Sequence, residues 1–365
     1  MTGRLYQEGS ALDKYGDFWM QQVTIEEALS LARQRDASDL HVIGDAPVKI
    51  RTKRKIEPLQ CFVSRADVDL FIASVINEKL QSIYDRAGSF DVGYVGPGGN
   101  IRINVARDHG GVRLAIRLLA RDAYRLESLN LPIKLADFVS RNNGLIIVCG
   151  PAGNGKSTTI ASMVDRILGA QTRNVHTIED PIEFRYQSDS VVISQREIGV
   201  HTRTYSEGVR AIMRADPNVI VCGEVRDKAS AAAVLDASET GHLVITTMHT
   251  GDAVQTVDRL ISWFPEESLQ TRTMLSQTLV GIVSMRLVPG IREPILPAVE
   301  ILSMNDAVRT IIRSENRSGL RNVMQSSRND GMQTLEGALN DLISAKRISV
   351  LDARALANRP EEIRG

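Results

Sequence analysis

The pattern of hydrophobic and polar residues changes character along the chain. In the first part, Thr24 and Glu27 have the spacing of a capping box, and apolar residues follow at helical intervals at Ile25, Ala28 and Leu29. Short alternating stretches then predict strands, with one further helix among them. The strands are expected at 39–43, 48–51, 90–94, 101–107 and 112–118, and the helix near 65–76. This part of the chain is therefore expected to form an α+β domain of its own.

The second part contains apolar runs that do not alternate. They lie at 144–149, 175–178, 219–222 and 243–247, with helical patterns between them. Continuous apolar strands separated by helices are typical of a parallel sheet that helices cover on both faces. From Val257 onward the pattern predicts helices with few strands. An α/β fold with a parallel sheet in the second domain is therefore expected.

The same change in pattern predicts the limits of the domains. Residues 1–21 have no clear periodicity and are expected to be a loosely ordered lead-in. Residues 22–118 form the smaller domain in this prediction, and 119–132 form a linker because they lack regular patterning. The larger domain then spans 133–365 and ends in a helical part.

Composition narrows the class of protein. A length of 365 residues fits two or three domains, and 44 basic residues against 44 acidic ones give no net charge. A dedicated nucleic-acid binder is normally basic, so no nucleic-acid partner is expected. The apolar stretches are shorter than the roughly 20 residues that span a bilayer, and no signal peptide is predicted. These features favour a cytoplasmic location.

Two weaker features add little chemistry. Cys61, Cys149 and Cys222 are widely separated, so neither a disulfide framework nor a zinc site is predicted. The basic run within 49–55 fits contact with nucleic acid or anionic lipid, but a solvated hairpin or a subunit interface is the favoured interpretation.

The strongest chemical signal is the run Gly-Pro-Ala-Gly-Asn-Gly-Lys-Ser at 150–157, which satisfies GxxxxGK[ST] between a buried strand and a helical run. Glycines in such a loop let backbone N–H groups turn toward phosphate oxygens, and the helix N-terminus adds partial positive charge. Lys156 is expected to reach the β- and γ-phosphates, and the Ser157 hydroxyl to bind Mg²⁺. The predicted nucleotide-binding residues are Gly150, Gly153, Asn154, Gly155, Lys156, Ser157 and Thr158.

Polar residues follow three other predicted strands, at Glu179, Glu224 and His249. The carboxyl ends of parallel strands meet at one edge of a sheet, so these side chains are expected beside the phosphate loop. Glu224 is assigned to Mg²⁺ together with Ser157, and Glu179 to activation of the attacking water. The alternatives are solvated helix caps for the two glutamates and a structural role for His249.

Four segments together closely resemble the secretion and type IV pilus ATPases. They are GPAGNGKSTT, TIEDPIEF, RAIMRADPNVIVCGEVRD and ETGHLVITTMHT, which match the Walker A motif, the Asp box, the Walker B motif and the His box of that family. DAVRTIIR at 306–313 is similar to a helix of the PilT subfamily, and the absence of CxxC pairs also favours the PilT-like class. The resemblance covers roughly residues 24–350.

The resemblance implies a PAS-like N-terminal domain, a RecA-like C-terminal ATPase domain, and a homohexameric ring with ATP between the two domains. It also implies a cytoplasmic motor that associates with the inner membrane through pilus or secretion platform proteins. Arginines of the N-terminal domain neutralise phosphate charge in such rings, and the matching residues here are Arg102 and Arg117, with Arg107 a weaker candidate. Plain surface charge is the alternative for these arginines.

The predicted function is thus a hexameric ATPase motor that uses ATP and Mg²⁺ to drive pilus retraction or dynamics, or a related secretion or conjugation machine. Two other classes remain open at this point. One is a RecA-like nucleic-acid motor, because such motors share the phosphate loop. The other is a nucleotide-gated regulatory module with little turnover.

Overall fold

The computed structural model describes residues 20–52, 55–96, 99–118, 123–170, 172–314 and 319–365. The chain divides into two compact units, with the main boundary before Ala123. The lead-in predicted for 1–21 lies almost wholly outside the described residues, as do parts of the basic run and of the predicted linker. Among the residues described, no helix has the length and apolar character needed to cross a bilayer.

The first unit combines a mixed sheet with helices. Its helices are α1 (Ile25–Gln34), α2 (Arg65–Val75) and α3 (Glu78–Ala87). Its strands are β1 (Gln21–Gln22), β2 (Asp39–Ile43), β3 (Ala46–Thr52), β4 (Lys55–Val63), β5 (Ser89–Gly96), β6 (Gly99–Asp108) and β7 (Gly111–Leu118). The described strands are ordered β1-β4-β3-β2-β7-β6-β5, and only β1 and β4 pair in parallel.

Helix α1 shows how local sequence starts this unit. The Thr24 amide donates to the Glu27 carboxylate at 2.9 Å, and the Glu27 amide donates to Oγ1 of Thr24 at 3.3 Å. This reciprocal cap satisfies amides that the helix leaves without partners. Ile25 and Leu29 are buried on the inner face of the helix, in the same core as Ile116 of β7. The predicted capping box is therefore present.

In the described residues, the second unit also contains a seven-stranded sheet, which lies between helices. Its strands are β8 (Gly144–Cys149), β9 (Val175–Glu179), β10 (Ile193–Glu197), β11 (Val219–Cys222), β12 (Leu243–Met248), β13 (Leu279–Pro289) and β14 (Ile295–Ser303). Its helices are α4 (Lys134–Val139), α5 (Lys156–Gly169), α6 (Tyr205–Ile212), α7 (Lys228–Glu239), α8 (Ala253–Ser262), α9 (Ser268–Thr278), α10 (Asp306–Arg313), α11 (Gly319–Ser326), α12 (Leu335–Ser344) and α13 (Val350–Leu356). The order is β10-β9-β11-β12-β8-β13-β14, parallel except for β14.

Strand β8 explains why its sequence does not alternate. Leu145 and Ile147 pack in one core together with α7, α8 and α9, whereas Ile146 and Val148 pack in a second core with α4 and α5. All six residues of the strand are buried. A strand covered on both faces needs apolar side chains at every position, which produces a continuous apolar run.

The expectation of a helical chain from Val257 onward is wrong between Leu279 and Ser303. Those residues include β13 and β14, which extend the sheet beyond β8 and pair with each other. A short apolar run is compatible with either a buried strand or a buried helix, so periodicity alone did not separate the two. In the stretch predicted as linker, Leu126 belongs to a 3₁₀ turn and is buried in the core of the second unit.

Candidate active site

The phosphate loop lies between β8 and α5, and glycines give it its shape. Gly150, Gly153 and Gly155 have φ angles of 135°, 75° and 82°, values that side-chain-bearing residues rarely adopt. A Cβ on Gly150 would lie 2.6 Å from the carbonyl oxygen of Met285, so no side chain fits there. A Cβ on Gly153 would meet nothing within 4 Å. The loop therefore packs closely against β13 at Gly150, whereas the space beside Gly153 is open.

Lys156 is folded back onto the loop. Its Nζ donates to the carbonyl oxygens of Gly150 at 2.8 Å and Pro151 at 2.9 Å. Burial lowers the pKa of Lys156, and the positive charge of Arg286 lowers it further. Oδ1 of Asn154 accepts the Leu287 amide at 2.8 Å, which fixes the loop to β13. The ammonium group thus lies at the phosphate loop. A phosphate oxygen would accept a stronger hydrogen bond from it than the two carbonyl oxygens do.

The other predicted side chains follow strands that end at the same edge. Cys222 of β11 is in register with Ile178 of β9 and Thr246 of β12, and Met248 of β12 is in register with Cys149 of β8. The residues that follow these positions are Glu179, Glu224, His249 and the phosphate loop. The structure therefore brings these groups to one edge of the sheet, while their catalytic roles stay predictions.

Glu224 is largely buried and has two neighbours from this edge. Its side chain is 12% exposed, Arg226 forms an ion pair with it, and Nε2 of His249 lies 3.5 Å from its Oε2. Burial lowers the pKa of His249, and the charges of Lys156 and Arg226 lower it further. The imidazole is therefore neutral at neutral pH. The effect of Lys156 on His249 also ties the phosphate loop to the loop after β12.

Glu179 is oriented by its own strand and its neighbour. Its Oε1 accepts the hydroxyl of Thr177 at 2.6 Å and the amide of Gln195 on β10 at 3.2 Å. The Tyr205 hydroxyl lies close by, 3.2 Å from where a Cβ on Gly223 would stand. Burial raises the pKa of Tyr205, and the nearby Asp180 carboxylate raises it further. Glu179 is therefore held in place rather than free in solvent.

The predicted arginines belong to the first unit. Arg102 on β6 and Arg117 on β7 are direct cross-strand neighbours. Arg102 pairs with Asp91 at 3.6 Å and Arg117 with Asp39 at 3.3 Å, and both guanidinium groups remain accessible. Arg107 instead stacks over a tyrosine ring, 4.6 Å from its centroid. The action of Arg102 and Arg117 on phosphate stays a prediction.

Sequence reasoning missed several charged residues near this edge. Arg226 was detectable, because it stands two residues after Glu224 in the same acidic turn. Arg286 and Glu300 are single charged residues inside apolar runs, and both are buried. A lone charge in a buried strand requires a partner, which is a functional signal. It was overlooked because these runs were predicted to be helical.

The donor set around the loop has the chemistry of a nucleotide site with a phosphate-bound cation. Within the described ranges, no group of three or more His, Cys, Asp or Glu side chains is placed to hold a metal ion. Mg²⁺ commonly takes one or two protein oxygens and completes its shell with phosphates and water. Ser157 at the start of α5 and Glu224 fit that limited role.

The family described as "Type II/IV secretion system protein" matches residues 21–340. The chain belongs to this family. Its relatives include the "Type IV pilus retractation ATPase PilT" of Pseudomonas aeruginosa, 33% identical over 92% of this chain and 99% of that protein. A "Twitching motility protein" of Neisseria gonorrhoeae is 34% identical over 82% of this chain and 81% of that protein.

Solved structures of ATPases are also similar to this chain. The pilus retraction motor PilT with bound ADP has a TM-score of 0.84 and 35% identity, over 93% of this chain and 99% of that chain. The ATPase DotB of Legionella pneumophila has a TM-score of 0.79 at 24% identity, over 92% and 98%, and shows the fold. The predictions of the family, of the two-part α/β fold and of a motor ATPase are confirmed.

Proposed function

We propose that this chain is the ATP-hydrolysing subunit of a homohexameric motor that drives pilus retraction or dynamics. A related secretion or conjugation machine is the second setting that the family allows. The observation that carries the proposal is the meeting of Lys156, Glu179, Glu224 and His249 at one edge of the sheet. A protein that only binds nucleotide needs the phosphate loop alone, whereas hydrolysis also needs placed carboxylates.

The loop residues bind the triphosphate in this proposal. Lys156 leaves its two loop carbonyls for the β- and γ-phosphate oxygens, since charged acceptors form stronger hydrogen bonds than neutral ones. Ser157 and Glu224 hold the Mg²⁺, which neutralises charge on the phosphates. Glu224 does so through water, because Arg226 already pairs with its carboxylate. Asn154 keeps the loop on β13 while the ligand exchanges.

Glu179 accepts the proton of the attacking water. Thr177 and Gln195 donate to its Oε1, and these bonds orient the carboxylate for that role. His249 is neutral at neutral pH, so it donates or accepts a hydrogen bond beside the γ-phosphate without adding a full charge. Arg102 and Arg117 supply permanent positive charge to a nucleotide in the ring, as the family implies.

The resemblance to the relatives supports the rest of the proposed assembly. We assign residues 22–118 to the PAS-like domain, 119–132 to the linker and 133–365 to the RecA-like domain. The ring works in the cytoplasm at the inner membrane and reaches it through platform proteins of a pilus or secretion system. Nucleic acid is not a partner in this proposal, and the net charge of zero supports that view.

Steady-state ATP hydrolysis by the full chain, with Lys156→Ala as the matched variant, tests the proposal. The wild type should hydrolyse ATP in a Mg²⁺-dependent reaction, and the variant should lose both nucleotide binding and turnover. Single-stranded DNA should leave the rate unchanged, and electron microscopy with a non-hydrolysable nucleotide should show rings of six subunits. Strong stimulation by DNA would favour the nucleic-acid motor, and tight binding without turnover would favour the regulatory module.

A further inference from the structure

A buried carboxylate outside the predicted site lies at the start of the helix that follows His249. Glu300 of β14 is 1% exposed. Its Oε1 accepts the amide of Ala253 at 2.8 Å, and its Oε2 accepts the amide of Leu335 at 3.4 Å. These are the first residues of α8 and α12. One carboxylate thus joins two helix N-termini, whose partial positive charges both favour an anion.

The loop between β12 and α8 is also held by hydrogen bonds from the neighbouring strand β13. The carbonyl oxygen of Gly251 accepts the hydroxyl of Ser284 at 3.1 Å and NH2 of Arg286 at 2.8 Å. With the Ala253 amide on Glu300, side chains of β13 and β14 fix the chain on both sides of residue 252. His249 stands in the same short loop, so its position depends on these anchors.

A row of polar residues on neighbouring strands connects Glu300 to the phosphate loop. Cys149 of β8 is in register with Ser284 of β13, which is in register with Glu300 of β14. Cys149 is the last residue before the phosphate loop, and the hydroxyl groups of Ser284, Thr250 and Thr256 lie near enough to its thiol to lower its pKa against the larger effect of burial, which raises it. The phosphate loop, the His249 loop and α8 therefore share one buried polar layer.

We propose that Glu300 is a positioning residue for ATP turnover, whose carboxylate fixes the start of α8 and so holds His249 against Glu224. Glu300 does not touch the nucleotide. This inference rests on the proposed function, because it concerns the rate of hydrolysis at the same site. It follows that the loop between β12 and α8 holds His249 in place for hydrolysis only while Glu300 is ionised and accepts hydrogen bonds from both amides.

The surroundings of Glu300 place its ionisation near neutral pH. Burial raises its pKa to about 7, opposed by the amides of Ala253 and Leu335 and assisted by the carboxylates of Asp252 and Glu336. The other charged or titratable groups that face it are Arg321 of α11, Arg359 and Cys149. Protonation would turn one accepting oxygen into a donor facing an amide, which weakens an anchor.

The experiment compares Glu300→Gln with the wild type in ATP hydrolysis across pH. The variant keeps the shape of the side chain but presents an NH₂ group to one of the two amides. We expect kcat to fall about tenfold, the scale of one lost hydrogen bond to a charged group, with the KM for ATP and ADP binding unchanged. The wild-type kcat should rise with a midpoint near 7, and the variant should lack this rise.

Glu336→Gln is the matched control. Glu336 is equally buried, lies on α12 and pairs with Arg321 at 2.9 Å, but has no bond to α8. Above pH 7 its kcat should stay near the wild-type value, because loss of the Glu336 charge only lowers the pKa of Glu300 and leaves the Glu300 carboxylate ionised there. An equal loss in Glu336→Gln, an unchanged kcat in Glu300→Gln, or the same pH rise in both Glu300→Gln and the wild type would overturn the inference.

If Glu300→Gln does not fold, a further variant can test the inference. Glu300→Asp keeps the charge but shortens the side chain, so it cannot reach both amides; kcat should fall while the pH rise remains. A full wild-type rate in Glu300→Asp would contradict the role of Glu300. A wild type that does not hydrolyse ATP would instead refute the proposed function.

Discussion

Glu300 should make the protein less stable as the pH rises, and Glu300→Gln should remove this dependence. The pKa of the folded group, about 7, lies above its ordinary value of 4.5. The unfolded chain therefore loses this proton at a lower pH than the folded chain. The stability that Glu300 contributes is complete below 4.5 and is lost as the pH rises through about 7. At about 1.4 kcal/mol for each pH unit, the loss is about 3 kcal/mol.

Urea unfolding at pH values from below 4.5 to above 7 measures this effect. Trp263 at the end of α8 provides the fluorescence signal from the second unit. The free energy of unfolding of Glu300→Gln, minus that of the wild type, should increase by about 3 kcal/mol across the range. The unmatched amide in the variant shifts this difference by a constant and does not change its slope.

Glu266→Gln, a change at an exposed position, should follow the wild type at every pH. A difference between Glu300→Gln and the wild type that does not vary with pH would refute the reasoning, because Glu300 would then titrate alike in both states. Confirmation would mean that the chain keeps a group that costs stability at neutral pH. Such a cost is common where a residue serves activity.

Three further changes probe the site. Gly150→Ala should destabilise the protein in thermal unfolding far more than Gly153→Ala, because only the first adds a Cβ 2.6 Å from a backbone oxygen; equal losses would contradict the close contact with β13. Lys156→Ala should raise the pKa of His249 in an NMR titration, since the lysine charge lowers it. An unshifted pKa would show that the charge of Lys156 does not act on His249. Arg102→Ala should lower ATP turnover by about tenfold or more without lowering the melting temperature, since exposed ion pairs contribute about 1 kcal/mol or less; an unaltered rate would leave Arg102 as surface charge.

The sequence predicted the parts of the fold whose patterns are local. The capping box of α1 and the strand limits of β2, β8 and β11 agree with the structure. They were predictable because a cap needs particular residues at fixed spacing and because a strand buried on both faces is apolar throughout. The phosphate loop was recognisable for the same reason, since its glycines and Lys156 stand at fixed spacing.

What the sequence did not reveal depends on contacts between distant segments. Strands β13 and β14 were missed because their apolar runs are compatible with buried helices until their pairing is known. The anchoring of Gly251 by Arg286 and of Ala253 by Glu300 joins residues far apart in sequence. No local pattern specifies such a pair, although a single charge within an apolar run indicates that a partner exists.

The most direct test of the account is the turnover of Glu179→Gln, because hydrolysis at this edge requires a carboxylate there. The amide can still accept the hydroxyl of Thr177, so the local structure should persist. ATP binding should remain at the wild-type level while hydrolysis falls by about a hundredfold or more. A variant that hydrolyses ATP at the wild-type rate would show that Glu179 is not the base.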